Sequence, residues 1–217
     1  MYFGLSEEQK SLEASITKYL ETNAPLETIK AVANGEIKKA KKIHQGLVDL
    51  GISGLMVPEH YGGLELDILF AAVVAGALGA GTAPSPFIGA YVMAPIALTL
   101  AGTDEQKENW LPKIAGGEAL IGMGLSEFVG ARDKAGIDFS NGKISGRALF
   151  IIDGEDANAF ILADKSGQLF LVDTNTDGIE IIDLVTVDKT RKSIELILKG
   201  VDAELLPGSD KGTNIIN

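Results

Sequence analysis

Apolar residues recur at helical spacing through the first half of this chain and at strand spacing through the second, with the change near residue 119. Ser6 and Gln9 have the spacing of a capping box, and Leu12, Ile16, Tyr19 and Leu20 fall on one face of the helix it opens. Ile37, Ala40, Ile43, Leu47 and Leu50 form a second stripe, closed by Gly51 at its C-cap. Lys38, Lys39, Lys41 and Lys42 lie largely off that stripe and read as a solvated face. Residues 52–57 run into the turn Pro58-Glu59-His60-Tyr61-Gly62-Gly63, whose glycines permit positive φ. Asp67 is placed to cap a third helix. Thr103 and Gln106 repeat the capping-box spacing. Pro112, lacking an N–H, is expected to stop that helix near Leu111, and Gly116-Gly117 to turn the chain into a short apolar strand over 119–125.

Between Asp67 and the Thr103 capping box, residues 68–101 carry no charge, a length that would span a bilayer. Pro84, Pro86 and Pro95, with Gly79, Gly81 and Gly89, interrupt the run. The reading is therefore a pair of buried helices joined by a turn over 82–86, because a helix apolar all round lies inside a domain. Beyond residue 140 the period shortens. Asn141-Gly142 is a hairpin signal, and runs at 143–152, 159–163, 169–173, 178–184 and 193–199 are short and rich in Ile, Leu, Val and Phe. Turn pairs such as Asp153-Gly154, Ser166-Gly167 and Asp177-Gly178 separate most of them. Regular short strands after a block of helices predict an α+β chain, with a β-barrel or sandwich appended to a helical domain.

Composition narrows the chemistry. The chain has 217 residues, enough to bury roughly 70% of its unfolded surface. A net charge of −11 argues against nucleic acid, whose phosphates need clustered Lys and Arg. The absence of cysteine excludes disulfides, a thiol nucleophile and thiolate metal sites. Residues 1–10 lack the basic start and apolar run of a signal peptide, so a cytoplasmic protein is expected. With only His44 and His60, neither a metal cluster nor a Ser-His-Asp triad is expected, and His44, beside a helix stripe, reads as boundary packing. Gly76, Gly79 and Gly81 run in the wrong order for a dinucleotide fingerprint and read as close helix packing. Glu59 and Glu127 are the carboxylates flanked by apolar runs, but neither has a visible partner for general-base work.

Four ordered segments resemble the acyl-CoA dehydrogenase family. Pro58-Glu59-His60-Tyr61-Gly62-Gly63 is similar to its P-E-x-Y-G-G, and Gly102-Thr103-Asp104-Glu105-Gln106-Lys107 to its G-T-x-E-Q-K. Residues 110–118 are similar to W-L-P-x-I-A-x-G-E, and Asp188, Thr190 and Arg191 to a D-x-T-R near the end of the family's middle domain. Order and spacing agree over essentially the whole chain. The resemblance implies an all-α helical domain over 1–119 followed by a β-barrel middle domain over 120–217, with Asn217 falling where a C-terminal four-helix domain would begin.

In the family, an acyl-CoA thioester loses its α-proton to a carboxylate while a β-hydride passes to flavin N5, the thioester carbonyl being polarised by hydrogen bonds. That base comes from the third domain, so no catalytic residue is expected here, and this chain alone is expected to be inactive. The middle domain contributes contacts to FAD. The family strand Y-x-x-T-E-P-x-A-G-S-D corresponds to residues 123–133, which assigns flavin contacts to Met123, Leu125 and Ser126, with Arg132 against the pyrophosphate. The strand K-x-W-I-T-N-G corresponds to residues 148–154, where Phe150 keeps an aromatic and Ile152 loses a threonine hydroxyl. The departures at Met123, Arg132 and Ile152 also suit a degenerate partner subunit of a heteromeric dehydrogenase, or an acyl-CoA-binding module without redox activity. The resemblance thus implies FAD, an acyl-CoA substrate and a homo- or hetero-oligomer, while the net charge and the interrupted apolar run argue for no nucleic acid and no membrane span.

Overall fold

In the computed structural model, which describes residues 4–125 and 136–211, helices occupy the chain as far as Ala115 and strands begin at Ile121. The helices are α1 (Glu7–Asn23), α2 (Leu26–Ala33), α3 (Ile37–Asp49), α4 (Ile68–Ala80), α5 (Ala94–Ala101) and α6 (Asp104–Ala115), with a π-helical turn, Ile88–Met93, leading into α5. Both capping boxes form. Ser6 Oγ accepts from the Gln9 N–H at 3.2 Å while Gln9 Oε1 accepts from the Ser6 N–H at 2.9 Å, and Thr103 and Gln106 repeat the exchange at 3.1 and 3.0 Å. Asp67 caps α4 through the N–H groups of Leu69 and Phe70. Gly51, at φ +90°, sits one residue beyond the Leu50 C-cap of α3.

The uncharged stretch forms helices as expected, α4 and the π-turn–α5 pair, but they are not buried all round: one face of α4 meets the core, through Ala71, Val74, Ala77 and Leu78, while Ile68, Leu69 and Leu100 are exposed. No described helix is long and apolar enough to cross a membrane. Other expectations need correction. Helix α6 runs through Pro112 to Ala115 rather than stopping at Leu111. Proline removes only one backbone bond in the last turn, and Ile114, fully buried, holds that turn on the core. The helix closes at Gly117, φ +70°, with the Gly117 N–H donating to Ile114 O at 2.9 Å and the Glu118 N–H to Lys113 O at 2.8 Å. Helix α2 has no counterpart in the sequence reading; it starts behind Pro25 without a side-chain cap and is held by buried Ile29 and Val32. Of the three glycines read as close packing, only Gly81 fits: a Cβ there would lie 2.6 Å from Leu20 Cδ1, whereas Gly76 and Gly79 face open space.

The strands form two four-stranded sheets. The first has the order β1 (Ile121–Gly124), β4 (Ala159–Ala163), β5 (Leu169–Asp173), β8 (Glu204–Leu205); the second has β2 (Gly136–Ser140), β3 (Lys143–Ile151), β7 (Ser193–Asp202), β6 (Ile179–Leu184). Asn141 and Gly142, both at positive φ, make the β2–β3 hairpin. Strand β1 runs parallel to β4; the other pairs are antiparallel. The expected barrel does not close. Among the described residues a single β-bridge, between Met123 and Ile152, pairs backbone of one sheet with the other, and β8, two residues long, carries the first sheet no further.

Burial explains the runs. Ala159, Ile161, Leu169 and Leu171 face the helices, while Phe160, Leu162, Phe170 and Val172 face the second sheet with Ile144, Ile151, Ile194 and Leu196. The first sheet is thus a middle layer covered on both faces, which is why β4 and β5 are continuously apolar rather than alternating.

Candidate functional site

The corner where the two sheets meet collects the unusual backbone. The β3–β7 register shifts between Ala148 and Ile151, and within that bulge Phe150 adopts φ +52°. The left-handed residue re-aims the strand, so Leu149 and Ile151 are buried on either side while Phe150 is 51% exposed. Ile152, 40% exposed, follows it; its N–H donates to Met123 O at 2.8 Å and its carbonyl accepts the Met123 N–H at 2.9 Å. Met123 therefore has both backbone polar groups engaged and its side chain in the helical core. Leu125 is half-buried against the same core. Ser126 and Arg132 lie outside the described residues, as does Glu127.

Asp153, at φ +54°, ends the corner. One carboxylate oxygen, Oδ2, accepts from the N–H groups of Phe87, Gly89 and Ala90 at 2.9, 2.7 and 3.3 Å, which satisfies the free donors at the start of the π-turn. Gly89 packs directly on the corner: a Cβ there would stand 2.7 Å from Ile152 O.

Beside this cap runs a chain of side-chain hydrogen bonds. Tyr91, fully buried, places its hydroxyl 3.0 Å from His44 Nε2, and His44 Nδ1 lies 3.0 Å from Ser85 Oγ, which donates to Pro86 O at 3.2 Å. With the serine proton committed to Pro86, the consistent arrangement has Nδ1 carrying the imidazole proton and Tyr91 donating to Nε2. Burial lowers the His44 pKa against the opposing charge of Asp153, so the ring is neutral at pH 7. Burial, reinforced by Asp153, pushes the Tyr91 hydroxyl well up, which keeps it a donor. The expectation that His44 packs at a boundary holds, with the addition of these two partners.

Two cavities flank the chain. One of about 370 Å³, between α2, α3 and the loops around residues 153–156 and 189–192, is lined by His44, Asp153 and Lys189; Lys41 reaches across it to Asp156 at 2.7 Å. The other, about 450 Å³, is lined by Leu78, Ser85, Phe87 and Ile88. Thr190 and Arg191 line both. They belong to a turn tied by Asp188, whose Oδ1 accepts from the Thr190 N–H and hydroxyl at 2.8 and 2.6 Å. Burial raises the Asp188 carboxyl, but these bonds and Arg191 outweigh it and hold the pKa below the usual value.

Glu59 is exposed, as is His60, whose ring lies against Tyr61. Among the described residues the buried carboxylate is Glu195, 4% exposed, paired with Arg147 Nε across β3 and β7. A glutamate inside an apolar strand run was the signal for it. Among the described residues, no group of three or more His, Cys, Asp or Glu side chains is placed to hold a metal ion.

The family description "Acyl-CoA dehydrogenase, N-terminal domain" matches residues 6–118. The mitochondrial isovaleryl-CoA dehydrogenase of Pongo abelii is 28% identical over 75% of this chain and 40% of its own length. A probable acyl-CoA dehydrogenase of Bacillus subtilis is 25% identical over 80% of this chain and 29% of its own. The chain thus spans well under half the length of these curated relatives. Among solved structures, an acyl-CoA dehydrogenase complexed with FAD from Bacillus anthracis superposes with a TM-score of 0.82 at 22% identity, over 98% of this chain and 39% of that one. The ChsE4–ChsE5 complex from Mycobacterium tuberculosis gives 0.87 at 22% identity, over 99% and 61%. At these identities the structural likeness speaks for the fold.

Proposed function

The chain belongs to the acyl-CoA dehydrogenase family, and from that premise we propose that it forms the flavin-binding part of a cytoplasmic FAD-dependent oxidoreductase acting on an acyl-CoA thioester. The observation that carries the reading is the exposed pair Phe150 and Ile152 at the sheet corner. The same strand buries Leu149 and Ile151, so a bulge holds two large apolar side chains outward at the point where the strand leaves the sheet. A flat aromatic ring system is a surface that fits them, through stacking on Phe150 and apolar contact with Ile152.

The division of labour follows. Phe150 and Ile152 cover one side of the ring, Met123 fixes the strand beneath Ile152, and Leu125 contributes backbone contacts. Ser126 supplies a hydroxyl to the ring, and Arg132 meets the pyrophosphate with a planar guanidinium. The bound flavin supplies a two-electron acceptor; the residues of this chain bind and orient it and exclude water from its face. The thioester substrate and the proton-abstracting carboxylate are proposals for the whole protein. We divide the chain into a helical unit over 1–119 and a β unit over 120–217, supported by the change from helix to strand between Ala115 and Ile121.

Visible absorbance of the purified full-length protein tests this: flavin bands that bleach on adding an acyl-CoA are expected. A second reading, a partner subunit that has lost flavin contacts, is favoured by Ile152, which offers no hydroxyl, and by the likeness to a two-protein complex. A colourless protein that turns yellow only when a second polypeptide is added would select it.

A further inference from the structure

We propose that Asp153 is a positioning residue for the flavin face, locking the Phe150–Ile152 corner to the start of the π-turn. The proposal rests on the reading that Phe150 and Ile152 cover a flavin. Two non-glycine residues in the left-handed region, Phe150 and Asp153, stand at either end of this corner, and such conformations persist only where the surroundings over-determine them. Three restraints do so here. Ile151 is buried in the core between the sheets. Ile152 is pinned by its two hydrogen bonds to Met123. The third is Asp153, whose Oδ2 gathers three N–H groups from residues 87–90, more than 60 positions earlier in the chain. Its grip also presses Gly89 against the Ile152 carbonyl, where no side chain fits.

The three restraints differ in kind. Burial of Ile151 sets the depth of the corner and the Met123 bridge sets its register. The Asp153 carboxylate ties it by hydrogen bonds directly to residues 87–90, and so fixes the corner relative to Ile88, the exposed apolar residue of the π-turn, 41% accessible. Without that tie the corner keeps its bulge yet loses its fixed aim, because Asp153 is then free to leave positive φ.

The test compares D153A, D153N and T103A in the full-length protein. T103A removes the α6 cap, a comparable local hydrogen bond remote from the corner. Two quantities are read: FAD affinity by fluorescence titration, and amide exchange at Met123 and Ile152 in the flavin-free protein. D153A is expected to weaken FAD about tenfold and to speed both amides about tenfold, whereas D153N, whose amide oxygen still accepts, stays within about threefold on each. T103A lowers the melting temperature and leaves affinity and exchange unmoved. D153A matching T103A on both readouts, or D153N failing as badly as D153A, overturns the proposal. Should the wild-type protein bind no FAD, the functional reading fails separately, and exchange alone decides whether Asp153 holds the corner.

Discussion

Replacing Tyr91 by phenylalanine keeps the ring and deletes one hydroxyl from a fully buried position. The hydroxyl is the donor to His44 Nε2 at 3.0 Å, and the other nitrogen of His44 is already matched to Ser85. Two effects add. A neutral hydrogen bond is lost, worth about 1 kcal/mol, and the acceptor left without a partner raises the loss toward about 3 kcal/mol. Ring packing is unchanged, so no cavity term enters. For a chain of this size, Y91F should lower the melting temperature by about 3–10 °C at pH 8. Urea denaturation followed by circular dichroism gives the free energy directly. Because both bonds meet on one imidazole, the S85A/Y91F double variant should lose less than the two single variants together. A Y91F protein within about 0.5 kcal/mol of wild type, the spread of inert surface substitutions, would refute the chain of hydrogen bonds. Strict additivity in the double variant would refute the coupling through His44.

The depressed pKa of His44 makes stability depend on pH with a definite sign. As pH falls below the ordinary value of 6.5, the unfolded chain takes up the proton before the folded one, so stability is full above that value and is lost below it. Urea midpoints measured between about pH 7.5 and 5.5 should fall for wild type and flatten for H44Q; parallel slopes would assign the effect elsewhere. G89A should destabilise by about 1–3 kcal/mol, since its methyl would lie 2.7 Å from a carbonyl fixed by the Met123 bridge. Chemical denaturation checks it, and a neutral result would mean that the corner yields. The Arg147–Glu195 pair is asymmetric, with the carboxylate side chain 5% exposed and the guanidinium side chain 46%. R147M, which strands a buried carboxylate, should therefore be worse by about 1–2 kcal/mol than E195Q, which leaves a cation that water can reach; equal losses would show that the burial difference does not matter.

What could be read in advance divides along the range of the forces. Caps at Ser6, Thr103 and Asp67 are decided within four residues, and each forms as its spacing requires. The stripes of α1 and α3 place Ile16, Leu20, Ile43 and Leu47 in the core correctly, yet Ile37, at the start of the α3 stripe, is 51% exposed because periodicity says which face is apolar and not how far the neighbouring helix extends. Pro112 shows local preference yielding to tertiary packing. Helix α2 shows the converse: eight residues with no side-chain cap leave almost no local signal, and two buried aliphatics suffice once there is a core to bury them in.

Strand pairing lies beyond that local horizon. Individual runs reveal β3 to β7, but the parallel pairing of β1 with β4 joins residues 38 positions apart, such as Ile121 and Ala159, and nothing in either run names its partner. The barrel expectation fails for the same reason: closure is a property of edges, and the two-residue β8 is no signal in a sequence. The candidate site is the extreme case. A resemblance points to Phe150 and Ile152, but a pattern reading puts Phe150 in an ordinary strand, because its positive φ comes from a bulge set by the register with β7. Asp153-Gly154 reads as a turn marker, and it does turn the chain; its carboxylate, however, caps a π-turn 64 residues away from it at Gly89. The residues that fix the corner are thus the ones whose local signal points to something simpler. Geometry of this kind depends on contacts between segments that each look unremarkable alone, and so the Asp153 tie becomes visible only when the helical and β halves are placed against each other.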